Sequence, residues 1–198
     1  HRDLHSFPTR RSSDLLEETN EAYAIAKIAG IMMCKKYKEQ YGDNFISAMP
    51  TNIYGIGDNF NLETSHVMPA LIRKFIEAKA NGEKTVTVWG TGKPYREFLH
   101  TDDLASALLF LMEKYDGNEH VNIGVGEDIT IKELAELIKK ITEFEGEIIF
   151  DTSKPDGTPR KLLDVTKIKS LGWEPKIKLE EGIKSTIEWY KSNNASGK

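Results

Sequence analysis

The chain has 198 residues, 39% of them hydrophobic and 29% charged, a composition typical of folded proteins that argues against disorder. Asp and Glu total 31 against 27 Lys and Arg, a net charge of −4, which argues against a general nucleic-acid or membrane-surface binder. One cysteine, Cys34, excludes an internal disulfide framework and a cysteine-rich zinc site, and the longest apolar stretch, Leu104 to Met112, is about half the ~20 residues of a membrane span.

Residues 1–15, HRDLHSFPTRRSSDL, show neither helical nor strand period and lack the apolar centre of a secretory signal. Their Arg and Ser content would suit a transit peptide, but Asp3 and Asp14 do not. The stretch reads as a translated adaptor or vector sequence, a non-native leader, and is set aside. Leu16 to Tyr41 is predicted helical, with Tyr23, Ala26, Met33, Cys34 and Tyr37 on one face and Gly42 as the terminating glycine. Phe45 to Met49 is predicted as a buried strand before Pro50, and a loop of about seventeen residues, rich in Gly, Asn and Asp, runs to His66.

A second amphipathic helix opens at His66 or Val67, with Val67, Leu71, Ile72 and Phe75 inward and Arg73, Lys74, Glu77 and Lys79 outward. Thr85–Trp89 and Glu97–His100 are predicted strands; Thr101-Asp102-Asp103 caps a helix from Leu104 to Glu113. His120–Val125 is a strand, Thr130 to Glu133 is a capping box for a helix ending near Phe144, and Glu147–Asp151 is a strand. Ser153 to Asp164 is polar coil with two prolines, and two short helices finish the chain around Trp173. Strands alternating with helices make the chain α/β.

Tyr23 and Lys27 are spaced Tyr-x-x-x-Lys, one helical turn apart on one face. A free tyrosine titrates near ~10, and a neighbouring ammonium favours the phenolate, tuning it to exchange a proton with a carbonyl or alcohol oxygen. The spacing also arises by chance in helices; small neighbours (Ala24, Ala26, Ala29, Gly30) would let a cofactor or another helix approach closely.

From Leu16 to about Asn193 the chain resembles the C-terminal half of the extended short-chain dehydrogenase/reductases, in their nucleotide-sugar epimerase branch. The resemblance is carried by YAIAKIAG (23–30), MPTNIYG (49–55), DNF…SHVMPALI (58–72), VWGTG…REFLHTDD (88–103) and SKPDGTPRKLLD (153–164). The SHVMPALI and KPDGTPRKLLD blocks point to enzymes acting on a 4-keto-6-deoxy sugar carried by GDP. In these a GDP-4-keto-6-deoxymannose is epimerised at the two carbons flanking the ketone and reduced there by NADPH. One acid–base pair can invert both neighbours through an enolate, because the carbonyl acidifies them.

The resemblance implies roles. Tyr23 would protonate the C4 oxygen during reduction, and Lys27 would tune Tyr23 and hold the nicotinamide ribose. His66 would be the acid of epimerisation and touch the cofactor; as a lone histidine at a helix start it could equally be a cap. Pro50, Thr51, Asn52 and Ile53 would contact the nicotinamide end of NADPH, at a strand C-terminus where ligands bind in open α/β sheets. Lys74, Trp89, Arg96 and Asp156 would contact the GDP-sugar. Arg96 suits a diphosphate through its planar fork, Trp89 offers an aromatic surface or is core, and Asp156 before Gly157 could be a turn residue. Lys74 stands where such enzymes may carry arginine. Cys34 lies eleven residues past Tyr23 and reads as a small buried residue.

The resemblance further implies a partner base, a catalytic serine and a Gly-rich phosphate-binding turn upstream of the tyrosine helix, none of which this sequence shows. Gly55-Ile56-Gly57 is followed by polar residues, unlike a dinucleotide fingerprint. The expected architecture is therefore the C-terminal part of a Rossmann-type parallel sheet (16–58 and 95–125) with a smaller α/β substrate-binding domain (59–94 and 126–193) and a tail (194–198). The chain would be a truncated product, inactive by itself, with no metal. The full-length protein would be a cytoplasmic homodimer binding neither nucleic acid nor membrane. A 4-epimerase or 4,6-dehydratase of nucleotide sugars, or a non-catalytic nucleotide-sugar-binding fragment, are the alternative readings.

Overall fold

The computed structural model describes residues 21–194; the expected leader (1–15) and Leu16 to Asn20 of the expected first helix lie outside them. Six helices and nine short strands follow in the order α1 (Glu21–Tyr41), β1 (Ala48–Pro50), β2 (Asn52–Tyr54), α2 (Val67–Ala80), β3 (Thr85–Trp89), β4 (Tyr95–Arg96), β5 (Phe98–His100), α3 (Thr101–Lys114), β6 (Val121–Ile123), β7 (Ile129–Thr130), α4 (Ile131–Thr142), β8 (Glu147–Asp151), β9 (Arg160–Lys161), α5 (Thr166–Leu171) and α6 (Leu179–Asn194). Pairing is mostly parallel: β1 with β6, β2 with β5, β3 with β8 and β4 with β9, while β4 and β7 run antiparallel. The α/β expectation holds.

Two apolar cores form. In one, Leu99 of β5, Ala107 and Leu111 of α3 and Val121 and Ile123 of β6 enclose Val165, Ile168 and Trp173 from around α5. In the other, Leu71, Ile72 and Phe75 of α2, Val86 and Val88 of β3, Leu134 and Ile138 of α4 and Ile183 and Ile187 of α6 pack together. Helices α2 and α4 lie against β3 and β8 because each presents its apolar residues at helical spacing to a strand pair alternating in and out. The cores are tied by hydrogen bonds: the buried Asp103 carboxylate accepts from the Lys176 and Ile177 N–H groups at 3.0 and 2.9 Å.

Several boundaries differ from the sequence reading. The strand expected over Phe45–Met49 is displaced to Ala48–Pro50, because it can be only as long as its partner Val121–Ile123, itself shorter than the expected His120–Val125. Phe45 is exposed and meets the Tyr37 ring edge-on at 5.9 Å. The expected seventeen-residue loop contains β2, whose Asn52 side chain donates to the Glu97 carbonyl at 2.8 Å. The expected Glu97–His100 strand is β5, starting at Phe98, and the additional strand β4 precedes Glu97. The cap of α3 is His100, whose Nδ1 accepts from Asp102 N–H at 3.2 Å, rather than the Thr-Asp-Asp run. The polar stretch before Asp164 includes β9, held by the Arg160–Asp128 pair at 2.6 Å. The last helix has 16 residues, not one or two turns.

Helix α1 departs furthest. Of its residues only Ala24 is buried; Tyr23, Met33 and Tyr37 are exposed, and Cys34 is half-buried rather than buried as expected. Its apolar residues (Ile25, Ile28, Met32, Met33, Tyr37, Tyr41) are scattered around the helix, so neither side is singled out for packing.

The capping box on α4 is as expected: Glu133 N–H donates to Thr130 Oγ1 at 3.0 Å and Thr130 N–H to Glu133 Oε2 at 2.9 Å. Thr130→Ala is expected to cost about 1 kcal/mol, seen as a lower urea midpoint at unchanged slope. A midpoint equal to that of the parent chain would contradict this.

Candidate active site

The C-terminal ends of β1 and β2 lead into the loop 55–66, and α2 begins where that loop ends. These segments and the Tyr23–Lys27 turn of α1 enclose a cleft of about 610 Å³, within the roughly 300–1,000 Å³ usual for ligand pockets. Every residue expected to act in catalysis or touch the cofactor lines it: Tyr23, Lys27, Pro50, Thr51, Asn52, Ile53 and His66. They come from segments up to 43 positions apart, between Tyr23 and His66, so only the fold brings them together.

Tyr23 is 56% exposed, and the Lys27 ammonium stands over its ring, 5.3 Å from the centroid. The i, i+4 spacing therefore does what one helical turn should, putting phenol and ammonium on the same wall. His66 is exposed and occupies the N-cap position of α2 with extended backbone (φ −72°, ψ 168°), but its side chain makes no capping bond. The imidazole lines the cleft instead. Thr51 and Asn52 are anchored from behind: their side chains donate to the Glu97 carbonyl at 3.3 and 2.8 Å. Gly55 closes the floor, its backbone (φ +152°) lying so near α3 that a Cβ would sit 2.7 Å from Thr101 Cγ2.

The residue that sequence reasoning missed is Glu97. It is fully buried, with Oε1 accepting from Val125 and Gly126 N–H at 2.7 Å each and Oε2 from Leu163 N–H at 3.0 Å. A carboxylate so placed clamps the end of β6 and the 163 segment to the strand supporting Thr51 and Asn52. No local signal marks it, because its three donors lie 28 or more positions further along the chain.

The four candidates for substrate contact lie apart from this cleft. Trp89, at the C-terminal end of β3, is 60% exposed, so it is not core. The Lys74 ammonium donates to the Thr87 carbonyl at 3.0 Å and stands 5.4 Å from the Trp89 ring centroid; burial pushes its pKa down. It is half-buried rather than outward. Asp156 accepts from Thr91 N–H at 2.6 Å and Thr91 Oγ1 at 2.8 Å, bonds that hold its carboxyl below the usual range. It braces the turn after Trp89. Arg96 is half-buried, with Nη1 donating to the Tyr95 carbonyl at 2.6 Å; burial lowers its pKa and the nearby Asp156 opposes that. It lines a second cavity of about 620 Å³ that also holds Asp128, Glu133, Lys176 and Lys178.

Gly55-Ile56-Gly57 runs into turn and loop, not a helix, so it offers no helix N-terminus for a cofactor pyrophosphate. Among the described residues, no group of three His, Cys, Asp or Glu could hold a metal ion, and no helix is long and apolar enough to cross a membrane.

Residues 3–124 match the family model described as NAD dependent epimerase/dehydratase family. The chain belongs to that family. The match opens within the leading stretch, outside the described residues. Among curated relatives of this family member, "Probable GDP-L-fucose synthase 1" of Oryza sativa subsp. japonica is 60% identical over 92% of this chain and 56% of its own length. The GDP-L-fucose synthase of Escherichia coli K12 is 52% identical, over 90% of this chain and 58% of its own. The chain thus spans a little over half the length of these relatives. A gdp-l-fucose synthetase from Naegleria fowleri, solved bound to NADP, superposes with a TM-score of 0.86 at 35% identity, covering 93% of this chain and 60% of that one. A Thermotoga maritima UDP-glucose 4-epimerase superposes at 0.78 with 31% identity, over 94% and 58%. The fold is accordingly the Rossmann-type epimerase/reductase fold.

Proposed function

We propose that the chain carries the acid–base half of a GDP-L-fucose synthase, which epimerises GDP-4-keto-6-deoxymannose at C3 and C5 and reduces it at C4 with NADPH. The observation carrying this reading is the single cleft that gathers Tyr23, Lys27, the 50–53 strand end and His66. Identities of 52–60% to relatives bearing that name support it. The same reading expects a cytoplasmic homodimer.

The donor set fits the nicotinamide end of the cofactor: a phenol, an ammonium and strand-end backbone around a cleft of ligand size. Lys27 and residues 50–53 would hold the nicotinamide ribose, and the cofactor supplies hydride. The chain's own residues handle protons. A ketone acidifies the carbons on both sides of it; His66 is the acid that returns a proton to them, with the partner base supplied from outside residues 21–194. Tyr23 gives its proton to the ketone oxygen as that oxygen gains charge. Lys27, held on the same wall, offsets the charge of the phenolate left behind.

The test is selective. In a chimera joining residues 21–198 to the N-terminal portion of the E. coli relative, His66→Asn should slow solvent-deuterium entry at C3 and C5 at least tenfold more than NADPH oxidation. The product should then contain sugar reduced without inversion. Equal loss of both rates would contradict the role given to His66.

A further inference from the structure

The surface around Trp89 has a charge distribution at odds with the chain as a whole. On a protein of net charge −4, Lys74 of α2 and Lys154 beyond β8 both stand over the exposed ring of Trp89. Lys154 lies three residues past the end of β8, and its N–H donates to the Asp151 carbonyl at 3.2 Å. That turn sets its ammonium 5.5 Å from the Trp89 centroid, while the Lys74 ammonium is 5.4 Å from the same point. The register of the parallel pair explains the meeting: Trp89 and Asp151 are partners at the last rung, so both chains leave the sheet side by side.

Among the described residues no carboxylate stands within 4 Å of Lys74 or Lys154. The nearby acids are engaged with neutral donors, Asp151 with Ser153 N–H and Oγ at 3.1 and 2.6 Å and Asp156 with Thr91. The ring face attracts each ammonium, and an anion with several oxygens would accept hydrogen bonds from both. Its place, at strand C-termini, is where open parallel sheets hold ligands.

We propose that Lys154 is a diphosphate-binding residue, acting with Lys74 across the ring of Trp89, which serves as a platform for the two ammoniums rather than as a stacking partner for the base. This rests on the reading of the substrate as a GDP-sugar. Trp89 fixes the long lysine side chains over its ring, so less conformational freedom is lost when phosphate oxygens arrive.

Calorimetry on the 198-residue chain tests it, with GDP and guanosine as probes. Lys154→Met should weaken GDP binding at least fivefold and leave guanosine unchanged, and Lys154→Arg should restore most of the GDP affinity. Trp89→Leu should weaken GDP by a similar factor, again sparing guanosine, whereas Trp89→Phe, which keeps a ring face, should lose less than half as much. Lys114→Met, removing a distant exposed charge, should change neither. Unaltered GDP binding in Lys154→Met beside a parent chain that binds GDP would overturn this inference alone. Loss of guanosine affinity in Trp89→Leu would overturn the platform role. A parent chain that takes up no GDP would overturn the substrate reading and this inference together.

Discussion

Replacing Tyr23 by Phe in the chimera with the E. coli N-terminal portion is expected to lower NADPH oxidation by a factor of about 10²–10⁴, the usual worth of a positioned general acid. Deuterium should still enter at C3 and C5. Tyr23 and Lys27 share one wall of the cleft, with the ammonium 5.3 Å from the ring centroid, and His66 enters the same cleft from the start of α2. The proposed division gives protonation at oxygen to Tyr23 and protonation at carbon to His66. Tyr23 is more than half exposed and holds up no core, so phenylalanine there should leave the melting temperature within about 2 °C, as is usual for surface substitutions. Loss of deuterium exchange along with reduction would show that the phenol serves both steps.

The second large effect is on stability. Glu97→Ala removes the acceptor for three backbone N–H groups, of Val125, Gly126 and Leu163, in a place without solvent access. Each stranded donor costs roughly 1–3 kcal/mol, so a loss on the order of 3–9 kcal/mol is expected for the three. Set against the ~5–15 kcal/mol that holds a typical domain, this should remove most of the cooperative urea transition of the 198-residue chain. Glu97→Gln should cost about half as much, since its Oε1 can still serve Val125 and Gly126 while its amide meets the Leu163 N–H donor to donor. A Glu97→Ala chain within 1 kcal/mol of the parent would mean that these bonds do not carry the junction. Because the Glu97 carbonyl also receives Thr51 and Asn52, the same substitution should loosen one wall of the cleft.

What was legible in the sequence was whatever depends on neighbours along the chain. The Tyr23–Lys27 turn, the Gly42 stop (φ +77°), the Thr130–Glu133 box and the alternation of Thr85–Trp89 are local, and all appear where expected. The lengths of β1 and β6 were not legible, because each is trimmed by the other. The same holds for β2, which exists only through its pairing with Phe98–His100. The face of α1 was misread because its apolar residues have no consistent side, and burial is decided by what lies opposite. Glu97 escaped notice because a charged residue in a short strand reads as solvent-facing unless its three distant donors are in view. Asp103 is the same case, its carboxylate bound to a segment more than seventy positions on. The cleft residues were found because a family resemblance supplied long-range information that local pattern cannot.

The central claim, that this cleft works on a GDP-linked keto sugar, is tested most directly by product analysis. The chimera, supplied with NADPH, should convert GDP-4-keto-6-deoxymannose to GDP-L-fucose with one NADPH oxidised per sugar and leave UDP-glucose untouched. Interconversion of UDP-glucose and UDP-galactose without net NADPH oxidation, and no GDP-L-fucose, would contradict the account.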